Sequence, residues 1–164
     1  MAVAKKILSD TLDIGIEAKK RKAVAEALKS QLADTYLLQL KTKFYHWNVT
    51  GAQFFSLHTL FDKQYEALSA AVDELAERIR SLGFAAPGTF REFLELTALA
   101  EDKSLPENWE KMVQNLVSDH ETLIRSAREK VALAQEQGDE GTADIFIKRI
   151  QEHEKAAWFL RSHF

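Results

Sequence analysis

A chain of 164 residues contains two prolines, Pro87 and Pro106, and both lie in one short region. Proline removes an amide donor and clashes with the preceding turn, so it breaks helices from inside. The long stretches on either side carry no such breaker, and only six glycines occur. This predicts long helices. Val24, Leu28, Leu32, Tyr36, Leu40 and Phe44 step by four, with Ala27 and Leu37 widening the stripe, over a first helix from about residue 17–21 to 47. Asn48-Val49-Thr50-Gly51 reads as a turn. Phe61, Leu68, Val72, Leu75, Ile79 and Leu82 mark a second helix over 53–82, stopped by Gly83.

Residues 83–105 form the one long connection, with a short helix expected over 89–99 through Phe90, Phe93, Leu94 and Leu96. Pro106 is expected to open a third helix, with Glu107 and Glu110 at its positive end. That helix runs to 137 through Trp109, Val113, Leu116, Val117, Leu123, Ile124 and Val131, and Gly138 ends it. A fourth helix follows from 141 to the C-terminus, carrying Ile145, Ile147, Ile150, Ala157, Trp158 and Leu160. Short loops force neighbouring helices antiparallel, and the long link lets the third run parallel to the second. The predicted fold is all-α: a ferritin-like four-helix bundle with a short extra helix in the crossover between helices two and three. Residues 1–20 are expected to form an N-terminal tail free to move, and 21–164 a single bundle domain.

Cysteine is absent, which excludes disulfides, thiolate metal sites and cysteine nucleophiles. Apolar residues at 46% and charged residues at 29% describe an ordinary soluble chain. The net charge of −3 does not suggest a nucleic-acid-binding domain. No secretory signal and no membrane-length apolar run is visible, so the expected location is the cytoplasm.

Metal-capable side chains concentrate in one region: His46, His58, Asp62, Asp73 and Glu77. His58 and Asp62 are four apart, as are Asp73 and Glu77, so each pair lies on one helix face. At about 100° per residue all four fall within an arc of roughly 100°, beside the apolar stripe rather than on it. The pairs do not close on one ion within one chain. Fifteen residues separate His58 from Asp73, or about 22 Å along a helix, whereas ligands converge within a few ångströms. A two-fold axis near residues 67–68 would bring the same helix of a second subunit alongside, antiparallel. His58 and Asp62 of each subunit would then meet Asp73 and Glu77 of the other. Ser69, Ala70 and Ala76 are small enough to allow close approach. His46 lies at the end of the first helix, beside His58 across the turn. Mixed nitrogen and oxygen ligands suit Fe(II), with zinc and manganese as competitors. Singly, each residue reads as readily as a solvated helix charge, with Asp73, Glu74 and Glu77 facing Arg78 and Arg80. The full set at these spacings is what points to metal.

His46-Trp47-Asn48-Val49-Thr50-Gly51, followed by Leu57-His58-Thr59-Leu60-Phe61-Asp62, resembles the first signature of the Dps family. Val72-Asp73-Glu74-Leu75-Ala76-Glu77-Arg78, ending in Leu82-Gly83, resembles its second. The helix plan extends the resemblance from about residue 20 to the end. It implies a twelve-subunit hollow shell that oxidises ferrous iron, with hydrogen peroxide as oxidant, at ferroxidase sites between subunits. The ferric mineral is stored inside and DNA is protected from oxidative damage. On this resemblance His46, His58, Asp62, Asp73 and Glu77 are the iron ligands. Trp47 sits beside the site, or is simply a packing aromatic. Asp139, Glu140 and Asp144 fall where the family places an acidic pore for iron uptake, or are acids favoured at a helix N-terminus.

A conventional ferritin would carry Glu-x-x-His within one bundle. Here the residues three before His120, His153 and His163 are Val117, Ile150 and Leu160. The alternative reading is a nucleoid DNA-compacting protein in which iron oxidation is secondary. Lys5 and Lys6 would contact DNA, many weak tails acting together; Lys19-Lys20-Arg21-Lys22 reads rather as a solvated helix face. A third reading is a plain structural bundle whose carboxylates bind no metal.

Overall fold

The computed structural model describes residues 12–164. Five helices and no strands occur among the described residues: α1 Ala18–Asn48, α2 Phe54–Ser81, α3 Phe90–Leu96, α4 Trp109–Glu136 and α5 Glu140–Arg161. α1 packs along α2 and α4 along α5, the two hairpins meet mainly through α1 and α4, and α2 meets α5 only sparsely. This is the expected four-helix plan with one crossover.

Local chemistry sets the helix ends. α4 begins at Trp109 because Asn108 caps it, its side chain accepting from Lys111 N at 2.8 Å. The expectation that Pro106 opens this helix is therefore corrected: a good capping residue two positions on takes the role. α3 is shorter than expected. Thr89 and Glu92 close a capping box at its start. Its end comes at Leu96, because Thr97 Oγ1 and Ala98 N both donate to Asp34 of α1, at 2.8 and 2.7 Å.

The step-of-four stripe on α1 holds for half its length. Val24, Leu28 and Leu32 are buried, whereas Leu40 is 39% exposed. Four residues turn about 400°, so five such steps carry a stripe halfway round the helix. Leu37, Leu38, Thr42 and Tyr45 continue the buried face instead. On α5, Phe146, Ile150, Ala157 and Leu160 face the core, while the expected Ile147 and Trp158 are exposed.

The core divides into two apolar clusters, one around Leu38, Leu57, Phe61 and Leu116, the other around Leu28, Leu75, Ile79 and Phe146. Along α1, α4 and α5 the buried polar residues Asp34, Thr35, Lys130, Arg149 and His153 fall between members of the two. The crossover is fastened to this frame by polar contacts. Lys41 Nζ donates to Ala100 O at 2.8 Å and to Asp119 at 2.6 Å, and the Tyr45 hydroxyl donates to Asp102. Burial, then the bond to Asp102, push the Tyr45 phenol well above its ordinary range. Arg21 is not part of a solvated face as expected. It is 2% exposed and donates to the carbonyls of Leu12, Ile16 and Leu82 at 3.0–3.1 Å. No described helix is long and apolar enough to cross a membrane.

Candidate metal centre

α1 ends and α2 begins on either side of a tight turn, closed by Phe54 N donating to Gly51 O at 3.0 Å. Gly51 has φ +94°, a conformation in which a side chain is strained. The turn sets the last turn of α1 against the first turn of α2, and with them His46 against His58.

The two imidazoles stack, with centroids 3.8 Å apart and planes inclined by 21°. His46 Nδ1 lies 2.9 Å from the carbonyl oxygen of His58, and His58 Nδ1 lies 2.8 Å from that of His46. A carbonyl only accepts, so both rings carry their hydrogen on Nδ1. In the neutral imidazole that arrangement puts the lone pair on Nε2, the form that ligates metal. Asp62, one turn beyond His58, brings Oδ1 to 3.9 Å from His46 Nε2. Three of the five expected ligands therefore lie at one end of the α1–α2 hairpin.

Asp73 and Glu77 stand on the same unbroken helix α2, exposed. The fifteen residues from His58 to Asp73 place them about 22 Å away. Both border a cavity of about 1080 Å³ between α2 and α5. Asp73 also faces a recess between α1 and α2 with Lys43 and Tyr65. Among the described residues of one chain, no three histidines, cysteines or acids are placed to hold an ion together.

Three neighbours of the histidines were not read from the sequence. Tyr65 stands edge-on to His46 at 5.3 Å, Phe54 stacks on His58 at 5.0 Å, and Lys43 Nζ lies 5.1 Å over the Tyr65 ring. Hydrogen bonding to Asp62, then partial desolvation and the Asp62 charge, push the Tyr65 phenol above its ordinary range. Each lies three or four residues from a ligand, so helical spacing alone would have found them.

Trp47, next to His46, is 62% exposed. Of the three acids expected at a pore, Glu140 and Asp144 are exposed, but Asp139 is 2% exposed. Its carboxylate caps α5, accepting from Thr142 N at 2.9 Å, and pairs with Arg78 at 2.6 Å. Its placement on a pore is corrected to a buried N-cap, because a helix start satisfies its own amides first. Lys5 and Lys6 lie outside the described residues.

A one-crossover bundle with histidines and carboxylates arrayed on its helices defines a ferritin-like protein. The family model of the ferritin-like domain matches residues 25–164. The chain is 44% identical to a low temperature-induced protein of Nostoc over 92% of its own length and 85% of that protein. It is 36% identical to DNA protection during starvation protein 2 of Bacillus anthracis, over 86% of this chain and 96% of that one. The crystal structure of the Dps protein of Vibrio cholerae, described as a member of the ferritin-like diiron-carboxylate proteins, superposes with a TM-score of 0.87. Its identity is 34%, and the match covers 93% of this chain and 95% of that one. The chain belongs to the Dps family of ferritin-like proteins.

Proposed function

We propose that the protein oxidises ferrous iron at sites shared between two subunits and stores the ferric product inside an oligomeric shell, keeping iron and peroxide away from DNA. The observation that carries this reading is the reciprocal histidine bond. It turns both Nε2 atoms away from the backbone carbonyls, with that of His46 3.9 Å from Asp62, while the second carboxylate pair stands on the same helix too far away to join them. An antiparallel partner supplies the missing half: His46, His58 and Asp62 of one subunit with Asp73 and Glu77 of the other. Likeness to the Dps family supports a twelve-subunit shell, with an uptake path past Glu140 and Asp144.

Iron is the substrate. The chain's own groups bind it, orient it and hold protons off the ligating nitrogens. Two ferrous ions give one electron each to hydrogen peroxide, which takes up two protons and leaves as two waters. Supplying both electrons together avoids one-electron release of hydroxyl radical. Carboxylate oxygens favour the ferric ions formed, and their hydrolysis inside the shell yields oxyhydroxide. The name of the Bacillus anthracis relative, protection of DNA during starvation, agrees with this outcome.

A subunit-mixing experiment tests the shared site. Asp73→Ala plus Glu77→Ala subunits and His58→Ala plus Asp62→Ala subunits are each expected to be inactive. Unfolded together and reassembled, they form mixed dimers with one intact site, so roughly a quarter of the wild-type oxidation rate returns. No recovery in a correctly assembled mixture would remove the shared site.

A further inference from the structure

Four rings touch in series at the end of the α1–α2 hairpin. Phe54 stacks on His58 with centroids 5.0 Å apart, and His58 stacks on His46 at 3.8 Å. Tyr65 stands edge-on to His46 at 5.3 Å, with planes inclined by 70°. Lys43 Nζ of α1 lies 5.1 Å over the Tyr65 ring, so the tyrosine is itself held from the α1 side.

Tyr65 also meets a carboxylate. It stands three residues after Asp62 on α2, on the same helix face, and its hydroxyl hydrogen-bonds to the Asp62 side chain. An ionised carboxylate only accepts, so the phenol donates. Asp62 has little else to hold it. Its side chain is 42% exposed, and His46 Nε2 at 3.9 Å is beyond hydrogen-bond distance. One side chain thus touches a nitrogen ligand carried by α1 and an oxygen ligand carried by α2. A phenylalanine would supply the same ring contact. The hydroxyl has one partner among the described residues, and that partner is a proposed iron ligand.

We propose that Tyr65 is a positioning residue of the iron site: its ring sets the His46 imidazole and its hydroxyl sets the Asp62 carboxylate before the ion arrives. The proposal rests on the shared-site reading above. An unrestrained Asp62 has several rotamers to give up on binding iron, and a carboxylate already turned by Tyr65 gives up fewer. The donated hydrogen engages one lone pair and leaves the others for the ion. This restraint acts on the bound ferrous state and on its oxidation alike. Loss of the hydroxyl therefore falls on affinity rather than on turnover.

Tyr65→Phe and Tyr65→Leu, each as the assembled protein, separate hydroxyl from ring. Tyr65→Phe keeps the ring, so the KM for ferrous iron is expected to rise about tenfold while kcat falls less than about threefold. A second readout needs no iron. Nitrogen-15 spectra of the metal-free wild type are expected to show His46 with its hydrogen held on Nδ1. Tyr65→Phe should keep that signal, and Tyr65→Leu should average it between the two tautomers. A tyrosine that only packs would lower the melting temperature and leave both KM and the imidazole signal where they were. A wild-type KM in Tyr65→Phe, or a wild-type His46 signal in Tyr65→Leu, overturns the proposal. If the leucine variant does not assemble, the phenylalanine variant decides alone. Failure of the shared site would appear instead in the subunit-mixing experiment, in which Tyr65 is wild type throughout.

Discussion

Arg78 of α2 reaches Asp139 at the start of α5, with Nη2 2.6 Å from Oδ1, while its Nε donates to Thr142 Oγ1 at 2.8 Å. The residue beside the candidate ligand Glu77 is thereby anchored to the opposite hairpin. Asp139→Ala removes the N-cap, worth about 1 kcal/mol, and leaves Arg78 without its carboxylate partner. Arg78 is itself partly exposed, so water replaces much of the lost attraction. A loss of about 2 kcal/mol in urea unfolding of the assembled protein, with unchanged m, is expected. Asp139→Asn retains the cap and should lose clearly less.

Gly51 tests the turn that pairs the histidines. A Cβ there would meet nothing within 4 Å, so the cost of Gly51→Ala is that of φ +94° alone. That is about 1–2 kcal/mol. If the backbone relaxes instead, the reciprocal histidine bonds loosen and ferrous oxidation slows. Calorimetry and oxidation kinetics on the same sample separate the two; a variant unchanged in both would show that the turn does not hold the pair.

Acid should weaken the metal-stripped protein. His120 titrates near 4 when folded and near 6.5 when unfolded, because burial disfavours its charge. The unfolded chain therefore takes up the proton first as pH falls. Stability is full above 6.5 and declines towards 4, by about 3 kcal/mol for this group. Unfolding at pH 7 and pH 5 measures the slope, and His120→Gln should remove the His120 share, leaving that of His153, whose charge burial also disfavours.

Asp73→Ala plus Glu77→Ala should slow fast ferrous oxidation at least a hundredfold, followed by absorbance after addition of peroxide. Both side chains are exposed in the single chain, so the melting temperature should stay close to wild type. Wild-type kinetics in this variant would remove both carboxylates from the site.

The helices and the paired spacing of His58 with Asp62 and of Asp73 with Glu77 were legible in the sequence. Within one helix, neighbours three and four apart are set by backbone geometry that any partner leaves unchanged. The same geometry made the fifteen-residue gap on α2 a reason to look for a second subunit. The α1 stripe misled beyond Leu32 because a strict step of four winds off the face it starts on.

What tertiary structure alone decided lies where separate elements meet. Neither His46 nor His58 announces that its Nδ1 will bind the other's carbonyl, because that bond depends on how the Gly51 turn sets two helix ends. Asp139 reads as one of three similar acids until Thr142 and Arg78 claim it. Arg21 reads as one of four basic residues until three carbonyls draw it inside. His120 and His153 are 33 positions apart, and only the packing of α4 on α5 brings their nitrogens face to face. Periodicity is a property of one element, and the sequence carries it openly. The partner of a buried polar atom is a property of two elements, settled by which contacts satisfy every such atom at once.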